Sequence, residues 1–268
     1  MNQDVTTEEI ACPGGMPAFV AWPKPAGRYP VVILIHERYG LVAHTRDLAR
    51  RCARDGYFVV AANFFCKHPD QKALNAGVSR YPIADTEAVE HIRASIAAAE
   101  KHPAADMKKV AVAGYCQTGR HPLVFAAEAK IAAAVVWYGA ASKREWPVSE
   151  TNSRPMEDIL AAIDCPVFAA FGGADHIISI DDVRRFRTVL EEHKKSYDIH
   201  VYEDAPHGWL NDTMPGRYRA PQAYAGWADQ QLFLKKVFAS EYNPETVSWR
   251  FDGGIARDYD FAKTKRLE

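Results

Sequence analysis

Val110-Ala111-Val112-Ala113-Gly114-Tyr115-Cys116-Gln117-Thr118-Gly119-Arg120 reads as a buried strand, a sharp turn carrying a cysteine, and the start of a helix. That layout is a nucleophile elbow. A strained strand-to-helix turn lifts the thiol clear of the sheet, and the free N–H groups of the new helix's first turn face the same point, where they stabilise a thiolate or an oxyanion. A lone Gly-x-Cys on a turn is equally the pattern of a buried core cysteine, so the reading depends on partners elsewhere in the chain.

Two partners follow. Cys165 to Asp175 is an apolar strand ending in Gly172-Gly173 and an acid, and His200 to Trp209 is a strand followed by a loop that delivers His207. The chain order nucleophile, acid, base therefore reads Cys116, Asp175, His207, each just beyond the C-terminal end of an expected strand, where open parallel sheets place their ligands. A thiol of ordinary pKa is only a few per cent thiolate at neutral pH. His207 would take its proton and later return one to a leaving oxygen, while Asp175 would hold the imidazole in its working tautomer. Such a set predicts hydrolysis of an ester, lactone or related acyl group through a thioester.

Apolar runs and turn residues predict the rest of an α/β fold, a doubly wound and mostly parallel sheet with helices on both faces. Strands are expected at Ala18–Trp22, from Val31, at Tyr57–Ala62, Val110–Ala113, Ala132–Tyr138, Val167–Phe171 and Ile199–Glu203. Helices are expected over Thr45–Asp55, from Asp85 as a cap, and over Leu123–Ala129, Met156–Ile163 and Asp182–Lys194. Residues 1–241 form one domain in this reading. The aromatic tail 242–268, with Trp249, Phe251, Tyr259 and Phe261, packs on that domain or on a second subunit, as in a homodimer. Asn63–Pro82 is long enough to reach over the nucleophile as a lid or to run as a plain surface loop, and Ser142–Pro155 is a charged loop that could line the same site.

At Gly114-Tyr115-Cys116 the chain resembles the dienelactone hydrolases, or carboxymethylenebutenolidases, cysteine-dependent members of the α/β-hydrolase fold. The resemblance runs from the first strand to the helix after His207. A second match is Val31 to Gly40, a buried strand leading into His36-Glu37-Arg38. The resemblance implies that Glu37 contacts the resting thiol and turns toward substrate, and that the Arg38 N–H helps build the oxyanion hole. The Gln117 N–H, directly after the nucleophile, is the second donor. Two departures stand out. Thr118 occupies a position where the family has glycine, and the arginine that the family places shortly after the histidine is missing from His207-Gly208-Trp209-Leu210-Asn211. Arg80 and Arg120 are candidate replacements for a substrate carboxylate, with Arg217 and Arg219 as further arginines beyond the histidine loop. Tyr115 and Trp209 are candidate walls of the substrate site.

Composition narrows the alternatives. The 268 residues are 48% hydrophobic, enough for one large core, and the formal net charge of −1 comes without a basic run, which gives nucleic-acid binding no support. The polar start Met1 to Glu9 lacks a signal-peptide pattern and no long apolar stretch occurs, so a cytoplasmic protein that does not enter membranes is expected. Cys12, Cys52, Cys66, Cys116 and Cys165 form no C-x-x-C pair, consistent with reduced thiols. No metal-ligand or nucleotide-loop spacing occurs, so neither metal nor cofactor is expected and the partner is a small ester or lactone. The alternatives are a general carboxylesterase or peptidase of the same fold, and a non-catalytic ligand-binding or thiol redox-sensing protein.

Overall fold

The computed structural model describes residues 4–268; the first residues of the polar N-terminus lie outside them. Nine strands form one sheet: β1 (Val5–Ala11), β2 (Pro17–Pro23), β3 (Tyr29–Ile35), β4 (Phe58–Ala62), β5 (Ala105–Tyr115), β6 (Ala133–Trp137), β7 (Val167–Gly172), β8 (Tyr197–Tyr202) and β9 (Trp249–Gly253). Their order is β1-β2-β4-β3-β5-β6-β7-β8-β9. Only β2 runs against the rest, pairing antiparallel with β1 on one side and β4 on the other; from β4 to β9 every pairing is parallel. Seven helices are described: α1 (Ala43–Arg54), α2 (Gln71–Asn75), α3 (Asp85–Glu100), α4 (His121–Ala126), α5 (Met156–Ala162), α6 (Ile180–Glu192) and α7 (Ala220–Phe238).

Side chains alternate across each strand, so β3 feeds two cores at once. Val31, Ile33 and Ile35 pack with Ile92 of α3, Leu123 of α4, Ile159 of α5 and Phe186 of α6. Val32 and Leu34 pack with Leu48 of α1 and Phe233 of α7 on the opposite face. This is the doubly wound α/β-hydrolase arrangement. Near-continuous apolar runs such as Val31–Ile35 suit strands buried on both faces.

Three details differ from the sequence reading. β1 was not anticipated because Val5 to Ala11 carries four consecutive polar residues, Thr6 to Glu9, at an exposed edge and lacks the apolar run of the central strands. Asp85 is not the cap of α3: Ala84 is, and the Asp85 carboxylate lies buried against Arg120. The aromatic tail supplies β9, which adds to β8 with Phe251 opposite Ile199. Among the described residues no helix is long and apolar enough to cross a membrane.

Candidate active site

β5 ends at Tyr115, and Cys116 begins a short turn that leads into α4. Its φ of 56° lies in the left-handed region that a residue with a side chain seldom occupies, so the elbow is strained at the cysteine itself. Gly114 makes that turn possible, since a Cβ there would stand 2.4 Å from the Thr118 carbonyl oxygen. Thr118 is the residue that departs from the family's glycine, and the structure gives it a use. Its fully buried hydroxyl lies 2.8 Å from the His36 carbonyl and 3.0 Å from that of Tyr115, and accepts from the Tyr115 N–H. It cross-links the elbow to the end of β3.

The loops after β7 and β8 bring the other two residues in. Gly172 has no Cβ, which would fall 2.1 Å from the Ala205 carbonyl oxygen, and the Ala174 N–H donates to that same oxygen at 3.1 Å. The loops are thereby pinned together. His207 Nε2 lies 3.0 Å from Cys116 Sγ and Nδ1 lies 2.8 Å from Asp175 Oδ2. Asp175 is held in turn, its Oδ1 accepting from the N–H groups of Ile177 at 2.7 Å and Ile178 at 3.1 Å. Burial opposes a charge on His207, but Asp175 and the Cys116 sulfur outweigh it and hold the imidazole well above its ordinary pKa. Geometry and charge thus suit a proton shared between sulfur and imidazole. Burial pushes the thiols of Cys12, Cys52, Cys66 and Cys165 upward, to about 11 for Cys12 and about 12 for Cys165, which leaves them poor nucleophiles.

Glu37 reaches the same cavity but not in the expected contact. Its Oε1 accepts from the Tyr138 hydroxyl at 2.9 Å and its Oε2 from Asn211 Nδ2 at 2.7 Å, while the Cys116 sulfur pairs with His207. Among the described residues no hydrogen bond joins Glu37 to the Cys116 sulfur. Tyr138 and Asn211 were missed by sequence reasoning. Asn211 is four residues after His207, inside the stretch noted for lacking an arginine, and a buried amide aimed at a carboxylate was the signal to follow. The Arg38 side chain donates to the Gly77 carbonyl at 2.5 Å, and Gln117 Nε2 donates to the Tyr81 carbonyl at 2.6 Å. Both residues expected to supply oxyanion donors are therefore anchored to the Asn63–Pro82 connection, whose end from Arg80 to Pro82 forms one wall of the cavity. The cavity is about 410 Å³, and Arg144, Ser149 and Asn152 from the Ser142–Pro155 loop line its other side.

The remaining candidates divide. Arg80 is exposed on the cavity wall. Arg120 also borders the cavity, but its guanidinium is consumed by a two-pronged bond to Asp85, at 2.9 and 3.0 Å, and by the carbonyls of Glu145 and Arg154, both at 2.6 Å. It braces the cavity wall and is not offered to a substrate. Tyr115 and Trp209 are fully buried beneath the site: Tyr115 stacks on Trp137, and Trp209 packs against Trp137 and Tyr202. Neither lines the cavity. Each sits next in sequence to a cavity residue, and the pleat of the strand or the course of the loop turns it into the core.

His36 closes the base of the site. Its Nδ1 donates to the Glu37 carbonyl at 2.7 Å and its Nε2 accepts from the Phe64 N–H at 3.0 Å, which requires a neutral ring. Burial lowers its pKa to about 4, and burial does the same to His121 against the opposing pull of Asp85. Unfolding returns both to about 6.5, so between pH 6.5 and 4 the unfolded chain binds more protons and stability falls as pH falls. Through these two histidines urea midpoints are expected to drop between pH 7 and pH 4.5; equal midpoints across that range would contradict buried neutral histidines.

Comparison with known proteins gives the family and the fold. The model of the dienelactone hydrolase family matches residues 16–238. The chain belongs to that family. It is 30% identical over 231 residues to a Methylorubrum extorquens protein named "Putative carboxymethylenebutenolidase", covering 83% of this chain and 77% of that one. A protein of the same name from Escherichia coli O157:H7 is 31% identical over 231 residues, covering 82% of each. Among solved structures, a dienelactone hydrolase family protein from Klebsiella pneumoniae superposes with a TM-score of 0.79 at 26% identity, covering 87% of this chain and all of that one. Est1E from Butyrivibrio proteoclasticus shares the fold at a TM-score of 0.63 and 14% identity.

Proposed function

We propose that this dienelactone hydrolase family member is a cysteine-dependent hydrolase of an ester or lactone, with Cys116 as nucleophile, His207 as acid and base, and Asp175 as the group that orients the imidazole. The observation that carries this reading is the single line of contacts from Cys116 Sγ through His207 to Asp175, at 3.0 and 2.8 Å. With Nδ1–H directed at Asp175, Nε2 is the atom that exchanges a proton with sulfur. The thiolate attacks the acyl carbon, forming a C–S bond, and the carbonyl oxygen gains charge against the N–H groups of Gln117 and Arg38. Collapse breaks the acyl C–O bond, and the leaving oxygen takes the proton from Nε2. Water then gives a proton to the same nitrogen, attacks the thioester and releases the acid and the thiolate. Glu37, clamped by Tyr138 and Asn211, fixes the loop that carries the Arg38 N–H.

Mixing the protein with p-nitrophenyl acetate is expected to give a burst of p-nitrophenol and an acetyl thioester on the Cys116 peptide, both lost after iodoacetamide. Turnover that survives alkylation would favour an ordinary esterase. Peroxide oxidation of Cys116 without any acyl adduct would favour a thiol sensor.

A further inference from the structure

β9 lies beyond residues 16–238, the span that the family model matches, and it ends the sheet. The Tyr197 N–H donates to the Ser248 carbonyl at 2.9 Å and the Gly254 N–H to the Val201 carbonyl at 3.0 Å, so Ser248 and Gly254 turn their backbone groups toward β8. Alternate residues of a strand face the same neighbour. Arg250 and Asp252 therefore face β8 as well, and Trp249, Phe251 and Gly253 present both N–H and C=O outward. Among the described residues no strand takes them up. Such an open edge is a template for another strand.

The side chains of β9 select its own copy. Arg250 and Asp252 share one face of the strand, carry opposite charges and have side chains 44% and 69% exposed. Asp198 Oδ2 steadies Arg250 at 3.4 Å, while the pair with Asp252 is loose at 4.0 Å. A second β9 laid antiparallel with Phe251 opposite Phe251 sets each Arg250 across from the other copy's Asp252, twice about one two-fold axis. In that register Phe251 exchanges both backbone bonds with its copy, and the charged residues occupy the non-hydrogen-bonded pairs, where side chains come closest. Sliding the pairing by two residues keeps the outward groups matched but sets Arg250 against Arg250 or Asp252 against Asp252, so charge fixes the register. On the other face Trp249, 52% exposed and held by its indole N–H on the Lys195 carbonyl at 2.9 Å, falls across from Gly253 of the second copy. The Phe251 ring lies over that glycine, 3.0 Å from where a Cβ would stand, and offers the indole an aromatic contact. The opposite edge of the sheet has no such match: β1 carries Glu8 and Glu9 without a basic residue, and two copies of it repel.

We propose that β9 is a self-recognition strand: two copies of the chain pair β9 with β9, antiparallel about Phe251, and their two nine-stranded sheets join into one. The Arg250 to Asp252 cross-pairs set the register, and the outward backbone groups of Trp249, Phe251 and Gly253 supply the ladder. The pairing is independent of the chemistry at Cys116.

Sedimentation velocity on the full chain over about 1–100 µM, the range suited to a small interface, is expected to show a concentration-dependent species of twice the chain's mass. Asp252→Arg turns both cross-pairs from attraction to repulsion and should weaken the dimer about 30-fold or more, and Arg250→Asp should do the same. Mixing these two variants makes the pairs complementary again between unlike chains, and combining both changes in one chain does so between like chains. Each restoration should return the dimer to within about 3-fold of parental affinity. Amide exchange of the parental protein needs no variant: protection of the peptide spanning residues 248–254 should rise with protein concentration. If Arg250→Asp, which also meets Asp198, loosens β9, then Asp252→Arg and the exchange measurement decide alone. A monomer throughout the range, a dimer indifferent to Asp252→Arg, or exchange at 248–254 that ignores concentration would each overturn the proposal.

Discussion

Cys116→Ala is expected to reduce turnover of an activated ester by about 10⁴-fold or more, leaving only what the oxyanion donors and binding supply. The magnitude follows from the arrangement: every covalent step needs the sulfur that His207 faces at 3.0 Å, and no other thiol is placed to substitute. Asp175→Asn should cost about 10³–10⁴-fold while leaving the thiol in place, because an amide in that position no longer selects the tautomer with Nδ1–H. The two effects are not additive, since both residues act in one relay. Stopped-flow measurement of p-nitrophenol release at pH 7.5 checks them. A Cys116→Ala protein retaining a tenth of parental turnover would dismiss the thioester route, and an Asp175→Asn protein at parental speed would remove the orienting role.

Arg120→Ala is expected to destabilise the fold by about 3–5 kcal/mol, the usual result of removing one member of a buried ion pair and leaving the other uncompensated. Asp85 is 1% exposed, and Arg120 supplies two of its hydrogen bonds, the rest coming from the Ser153 N–H and hydroxyl. The same guanidinium holds the carbonyls of Glu145 and Arg154, so its loss loosens the loop that walls the cavity. Urea unfolding with a reversible baseline measures the change. A variant with parental stability but a raised KM for a charged ester would return Arg120 to the substrate site, contrary to its bonding here. Replacing the pair together by apolar residues of similar volume should cost less than the single change.

The strand–turn–helix at Cys116 and the gathering of Cys116, Asp175 and His207 were readable in one dimension for a physical reason. In an open parallel sheet the catalytic edge is the set of C-terminal strand ends, so residues that follow apolar runs are delivered to one edge however far apart they lie in the chain. The unbroken apolar run Val31–Ile35 and the helix-period spacing between strands likewise carried the layer architecture, because burial on both faces leaves its mark in the strand sequence itself.

Side-chain direction and long-range pairing were not readable. Tyr115 and Trp209 adjoin cavity residues yet point into the core, and Arg120 begins a helix at the site yet spends its charge on Asp85, thirty-five positions away. Thr118 looked like a misfit for the elbow until the His36 carbonyl stood beside its hydroxyl. The Glu37 clamp joins loops separated by 101 and 174 residues. Local composition and periodicity settle which segments become strands and where their ends gather, because backbone geometry and burial act over a few residues. Which polar groups meet at that edge, and that the aromatic tail returns to the sheet as β9 beside β8, depends on contacts between distant segments. Such contacts exist only once the sheet has assembled and the burial of each polar group must be matched by a partner.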